Sequence, residues 1–167
     1  MMRDDFCVFI LSHGRANNLK TLKTIQNQGY TGKWYIVIDN EDDQEQEYRK
    51  KYKEHILQFD KLAISKQFDT ADLEENRKTI VYARNACFML ASQVGVKYFL
   101  ELDDDYTRFE YKQKMGDVLK TYTVKNLDLL FMQMIEFFET SGATTIAFAQ
   151  GGDFIGGADS PAVKNLS

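Results

Sequence analysis

An apolar run, Tyr98-Phe99-Leu100-Glu101-Leu102, ends in three consecutive aspartates, Asp103-Asp104-Asp105. A run of this kind without a polar face of period two predicts a strand covered on both sides. Loops at the carboxyl ends of such strands build the ligand crevice of open α/β sheets. Two like charges about 4 Å apart repel by ~4 kcal/mol at an effective dielectric of ~20. Three stacked carboxylates therefore need solvent, bases or a cation around them. The oxygens of Asp103 and Asp105 are hard ligands that suit Mg²⁺ or Mn²⁺. The competing reading is a solvated acidic turn, and the position straight after a buried strand favours the cation.

The rest of the chain alternates strand and helix. Apolar and alternating segments predict strands over 6–11, 33–39, 61–66, 97–102 and 144–149. Helices are predicted over 17–28, 44–57, 79–94 and 125–140, with Gly29, Gly95 and Gly142 as stops. In the second strand Trp34, Ile36 and Ile38 share one face, and Tyr35 and Val37 the other. The 44–57 helix carries few apolar residues and is expected at a sheet edge. Residues 68–78 and the glycine-rich end from Gly151 to Gly157 are expected as loops. Repeated strand–helix–strand units imply a mainly parallel open sheet flanked by helices.

At 167 residues the chain is expected to form one domain over 1–167, and its end in a glycine-rich loop suggests a fragment that lacks its acceptor side. No stretch approaches the ~20 apolar residues of a membrane helix. The N-terminus has no signal-peptide core, and Cys7 and Cys87 lie in apolar segments. The expectation is a cytoplasmic protein with packed, reduced thiols and no membrane partner. Net charge of −4 argues against nucleic-acid binding through overall charge. A basic–aromatic stretch from Tyr106 to Lys125 could contact a polyanion, but a solvated connector is the simpler reading.

Ser12-His13-Gly14-Arg15, Asp39, Arg84-Asn85 and Asp103-Asp104-Asp105 fall at strand ends or on the helix before one, so all can face one crevice. Each has a job if the ligand is a nucleoside diphosphate joined to a sugar. Asp39 can accept from a base N–H or a ribose hydroxyl, or merely end a strand. Gly14 permits close backbone approach, and Arg15 and Arg84 can bond phosphate oxygens. His13 can polarise a phosphate or simply face solvent, and Asn85 can hold the loop or serve its own helix. No Gly-x-Gly-x-x-Gly follows the first strand, and no Gly-Lys-Ser/Thr occurs, which disfavours a Rossmann dehydrogenase and a P-loop nucleotidase. A nucleotidyltransferase would need a phosphate loop after strand one that is missing. A non-catalytic binding domain of the same fold stays open.

The segments Phe9-Ile10-Leu11-Ser12-His13-Gly14-Arg15, Val37-Ile38-Asp39, Ala83-Arg84-Asn85 and Leu102-Asp103-Asp104-Asp105 resemble the nucleotide-sugar half of GT-A fold glycosyltransferases. The resemblance implies an Asp-x-Asp motif holding Mn²⁺ or Mg²⁺. Asp105 would be the principal ligand, Asp103 a ribose or metal contact, and Asp39 a base contact, with a UDP-type donor. The set Ser12, His13, Gly14, Arg15, Asp39, Arg84, Asp103 and Asp104 would bind the nucleotide sugar. Segments 37–43, 81–86, 98–107 and 148–154 are similar to the TET-associated glycosyltransferases of bacteriophages. That likeness implies sugar transfer to hydroxymethylated pyrimidines in DNA, in the cytosol of a bacterium or infected host. A saccharide acceptor is the alternative. About sixty residues follow the triplet, and Asp153 is the candidate catalytic base among them.

Overall fold

The structure is a computed structural model that describes residues 2–67, 80–116 and 118–149. Four parallel strands, β1 (Phe6–Leu11), β2 (Lys33–Asp39), β3 (Ile56–Phe59) and β4 (Tyr98–Asp103), form one sheet in the order β3-β2-β1-β4. Helices α1 (Lys20–Asn27), α2 (Glu45–Tyr52), α3 (Lys61–Ser65), α4 (Val81–Gln93) and α5 (Leu127–Ser141) flank it. Two antiparallel strands, β5 (Glu110–Met115) and β6 (Val118–Thr123), make a separate ribbon. This is the α/β architecture of a Rossmann-like GT-A fold.

Every residue of β1 is buried, because β1 lies between two strands and under both helix layers. Side chains alternate along it. Phe6, Val8 and Ile10 join the core beneath α1 and α5, with Ile36, Ile38 and Phe131. Cys7, Phe9 and Leu11 join the opposite core, with Val37, Leu90 and Cys87. Both thiols are free and fully buried. Burial pushes the Cys7 thiol up to about 12 and raises that of Cys87 still further.

Several expectations are corrected. The third strand is Ile56–Phe59, in register with Ile36 to Asp39 of β2, and includes the tail of the helix read over 44–57. Lys53 at φ 50° turns the chain out of α2 before it. The segment read as a strand over 61–66 is helix α3, capped by Asp60, whose carboxylate accepts from Ala63 N at 2.8 Å. The connector after the triplet is the β5–β6 hairpin, with Gly116 in its turn. Residues 144–149 form no strand. Phe148 instead packs against Phe109 and Phe131, at ring separations of 5.6 and 6.1 Å. Strand β4 is only partly buried over Tyr98 to Glu101, because among the described residues it ends the sheet. On α5, Phe137 is exposed, while Phe131 and Ile135 take the buried positions.

The hairpin is fastened to the body by one side chain. Gln28, 7% exposed, donates to Phe109 O and Val124 O and accepts from Phe109 N. The chain passes so close here that a Cβ on Gly29, at φ +82°, would meet Lys125 O at 2.8 Å. Replacing Gln28 with Leu takes this partner from Phe109 N and Val124 O, while Phe109 O keeps the Val124 N–H. We expect a loss of about 2–3 kcal/mol in urea unfolding, with faster amide exchange at Phe109 than at Val8 in the sheet.

Candidate functional site

In the order β3-β2-β1-β4 the chain winds one way to β3 and then returns to the other side of β1. The carboxyl ends of β1 and β4 flank this reversal, where open α/β sheets hold ligands. A cleft of about 650 Å³ opens there, lined by Ser12, His13, Arg15, Asp39, Lys61, Arg84 and all three aspartates of the triplet.

The triplet is fixed through its backbone and through its middle side chain. Thr21, at 0% exposure on α1, donates its hydroxyl to Asp103 O at 2.5 Å and accepts from Tyr106 N at 2.9 Å. Asp104 is turned inward. Its Oδ2 accepts from Ser12 Oγ and its Oδ1 from Arg15 Nη1, both at 2.7 Å. The Tyr48 hydroxyl completes the corner, 2.7 Å from Ser12 Oγ and accepting from Arg15 N at 2.8 Å. Asp103 and Asp105 face outward, with side chains 43% and 64% exposed.

A second cluster closes the β2 end. Asp39 is buried, and its Oδ2 accepts from His13 Nδ1 at 2.9 Å and from Lys61 Nζ at 3.3 Å. Its Oδ1 accepts from Glu41 N at 3.0 Å. Buried Asp42 accepts from Gly14 N at 2.9 Å and Gln44 N at 2.8 Å, which sets the glycine turn. Gly14 sits at φ +67° with no atom near a hypothetical Cβ, so its conformation and not its small size is what the turn uses.

Arg84 spans two acids. Its Nη1 lies 3.2 Å from Glu101 Oε2, and its Nη2 lies 3.0 Å from Asp103 Oδ1. Burial raises the pKa of Glu101, against the lowering influence of Arg84. Asn85 bonds Val81 O within its own helix and not the triplet loop.

Of the sequence-derived candidates within the described residues, Ser12, His13, Arg15, Asp39, Arg84 and Asp103 to Asp105 line one cleft, while Gly14 shapes the turn between two of them and Asn85 is left out. Asp153 lies outside the described residues. Sequence reasoning missed Lys61, Asp42, Tyr48, Thr21 and Glu101. Asp42-Asp43-Gln44 carries the signature of an Asx turn, which could have found Asp42. Lys61 was hidden by reading its helix as a strand.

A family model described as TET-Associated Glycosyltransferase matches residues 6–167. The chain belongs to the TET-associated glycosyltransferases. No curated protein and no solved structure matches it. Membership makes this TET-associated glycosyltransferase an enzyme that draws on a nucleotide-sugar donor. Among the described residues no helix is long and apolar enough to cross a membrane.

The Glu101 shift gives this enzyme a pH signature. A carboxyl group whose folded pKa is raised contributes most below its unfolded pKa, ~4.3 for glutamate, and loses that contribution as pH rises through the folded value. Relative to Glu101→Gln, the native chain should therefore lose thermal stability as pH climbs from about 4 toward neutrality. Melting curves of both proteins across that range would reveal it. A difference that stays flat with pH contradicts the assignment.

Proposed function

We propose that residues 1–167 form a single nucleotide-sugar-binding domain that transfers a sugar from a UDP-type donor to a hydroxymethylated pyrimidine in DNA. The observation that carries this is the meeting of Asp103, Asp105, Arg15 and Arg84 with the His13–Asp39 pair around one cleft, in a member of a glycosyltransferase family.

The donor set fits a divalent cation shared with substrate. Among the described residues no three His, Cys, Asp or Glu side chains gather into a cage. Two outward carboxylates are what Mg²⁺ takes when phosphates and water supply its other ligands. Asp103 and Asp105 would hold Mg²⁺ or Mn²⁺, with Asp105 the principal ligand. When bound, the cation would neutralise the diphosphate and stabilise it as it leaves.

The protein's own groups do the rest. Arg84 and Arg15 line the cleft with charge-assisted donors for phosphate oxygens. Strands lie about 4.8 Å apart, so the β2 end is about 10 Å from the β4 end. That is the scale separating a pyrimidine from its diphosphate. The base would then meet the His13 cluster. A carboxylate can only accept, so His13 Nδ1 carries the proton on Asp39, and in the neutral ring Nε2 is left as an acceptor. Uracil offers an N–H to that acceptor, whereas cytosine offers a second acceptor, and the UDP-type donor is proposed with the ring in that neutral form. With its oxygens engaged by His13, Lys61 and Glu41 N, Asp39 acts on the base by orienting His13. Asp153 is proposed to take the proton from the acceptor hydroxyl. Family membership supports the DNA acceptor, placed in the cytosol of a bacterium or infected host.

Calorimetry with UDP tests the donor half. Binding should require Mn²⁺ or Mg²⁺, and Asp105→Asn should weaken it by about tenfold or more, the scale seen when metal-site partners are removed. Equal affinity in EDTA overturns the metal reading. His13→Phe keeps a ring but removes the acceptor, so the preference for UDP over CDP should shrink by about tenfold, the worth of one lost hydrogen bond. An unchanged preference moves His13 away from the base. Mass spectrometry of nucleosides, after incubation with donor sugars, Mn²⁺ and hydroxymethylated DNA, should reveal glycosylated bases. Transfer to a saccharide or protein instead retains the enzyme class and rejects DNA.

A further inference from the structure

We infer that the β5–β6 ribbon is the surface that grips the acceptor duplex, through phosphate contacts made by its lysines. This rests on the DNA-acceptor reading above. The observation is the ribbon's form. Nearly all its described positions are exposed, and its base alone is buried, at Phe109 and Val124. An isolated two-stranded hairpin is marginal in water, so an extended, solvent-facing one is suited to being covered by something.

Its chemistry selects the occupant. Residues 108–125 carry five basic residues and two acidic ones, in a chain of net charge −4. The register sorts them, because paired residues share a face. Lys112 with Thr121 and Lys114 with Leu119 lie on one face. Tyr111 with Tyr122, Gln113 with Lys120 and Met115 with Val118 lie on the other. Lysines and threonine hydroxyls are donors for phosphate oxygens, and lysine on both faces lets the ribbon address the two backbones of one groove. Six residues per strand give about 20 Å of length. The ~12 Å major groove admits a two-stranded ribbon.

Position agrees with charge. Glu110 follows Asp105 by five residues, so the ribbon's base lies within about 18 Å of the outward carboxylates. Thr21 and Gln28, both on or beside α1, tie the triplet and the ribbon's base to the same helix. A duplex held on the ribbon would therefore lie beside the cleft mouth. Phosphate contacts carry no sequence information, so the ribbon would hold modified and unmodified duplexes alike.

The test uses fluorescence anisotropy of the 167-residue chain with a 20-base-pair duplex, with and without hydroxymethylated pyrimidines. Lys112→Glu with Lys114→Glu should weaken binding at least tenfold and reduce the slope of log affinity against log salt by about two. Metal-dependent UDP binding should not change. Lys50→Glu with Lys66→Glu, an equal charge change at exposed sites on and beside α2 and α3, should leave both affinity and slope near wild type. Lys112→Gln with Lys114→Gln should fall between, which guards against a defect caused by the new acids. If the native chain binds duplex and the ribbon variants bind it equally well, the ribbon assignment is wrong while the DNA reading stands. Equal weakening by the control pair also overturns it, because overall charge would then be acting. If the native chain binds no duplex and transfers sugar to another acceptor, the DNA reading falls and takes this inference with it.

Discussion

The inward Asp104 carboxylate is the contact on which the cleft depends. It joins the end of β4 to the loop after β1 through Ser12 and Arg15, and Tyr48 of α2 closes the same corner. A buried charge is tolerated only when paired and hydrogen-bonded, and both oxygens of Asp104 are. Asp103 is the last residue of β4, and the chain turns at Asp104 and Asp105, which leaves Asp104 inward and Asp103 and Asp105 outward. Three adjacent carboxylates thus avoid the repulsion that their spacing suggests, because one is spent on structure and two are left for the cleft.

Asp39 repeats that logic one strand over. It sits at a strand end, buried, and gathers His13, Lys61 and a backbone N–H. The side chains that reach the opening are those the two buried aspartates hold. Arg15 and His13 come from the loop after β1, and Lys61, itself buried, opens α3. Their pairing to buried acids gives the site its shape.

Much of this was legible in the sequence, where strong patterns act alone. Phe6 to Leu11 and Lys33 to Asp39 have the apolar runs and alternation that only a covered sheet explains, and their bounds hold. The triplet and the motifs around it were legible because unlike residue types converge on one chemistry. What failed were segments decided by partners far away. Ile56 to Phe59 is four residues long and becomes a strand because β2 is beside it. Residues 144–149 look like a strand and are not one, because Phe148 finds an aromatic cluster and no ladder. The ribbon's exposed strands lack the half-buried alternation that marks a strand, so Gly116 was the readable signal. Lys61 could not be found at all, since nothing near it in sequence announces Asp39.

The two cysteines have a practical consequence. They are the chain's whole complement of thiols, both fully buried with their ionisation suppressed by burial. Thiolate is the reactive species in alkylation, so both cysteines of the folded protein are expected to react slowly with maleimides. A cysteine placed at an exposed position such as Gln113 would be the one reactive handle. Dyes, spin labels or crosslinkers could be attached there without first removing Cys7 or Cys87 from the core.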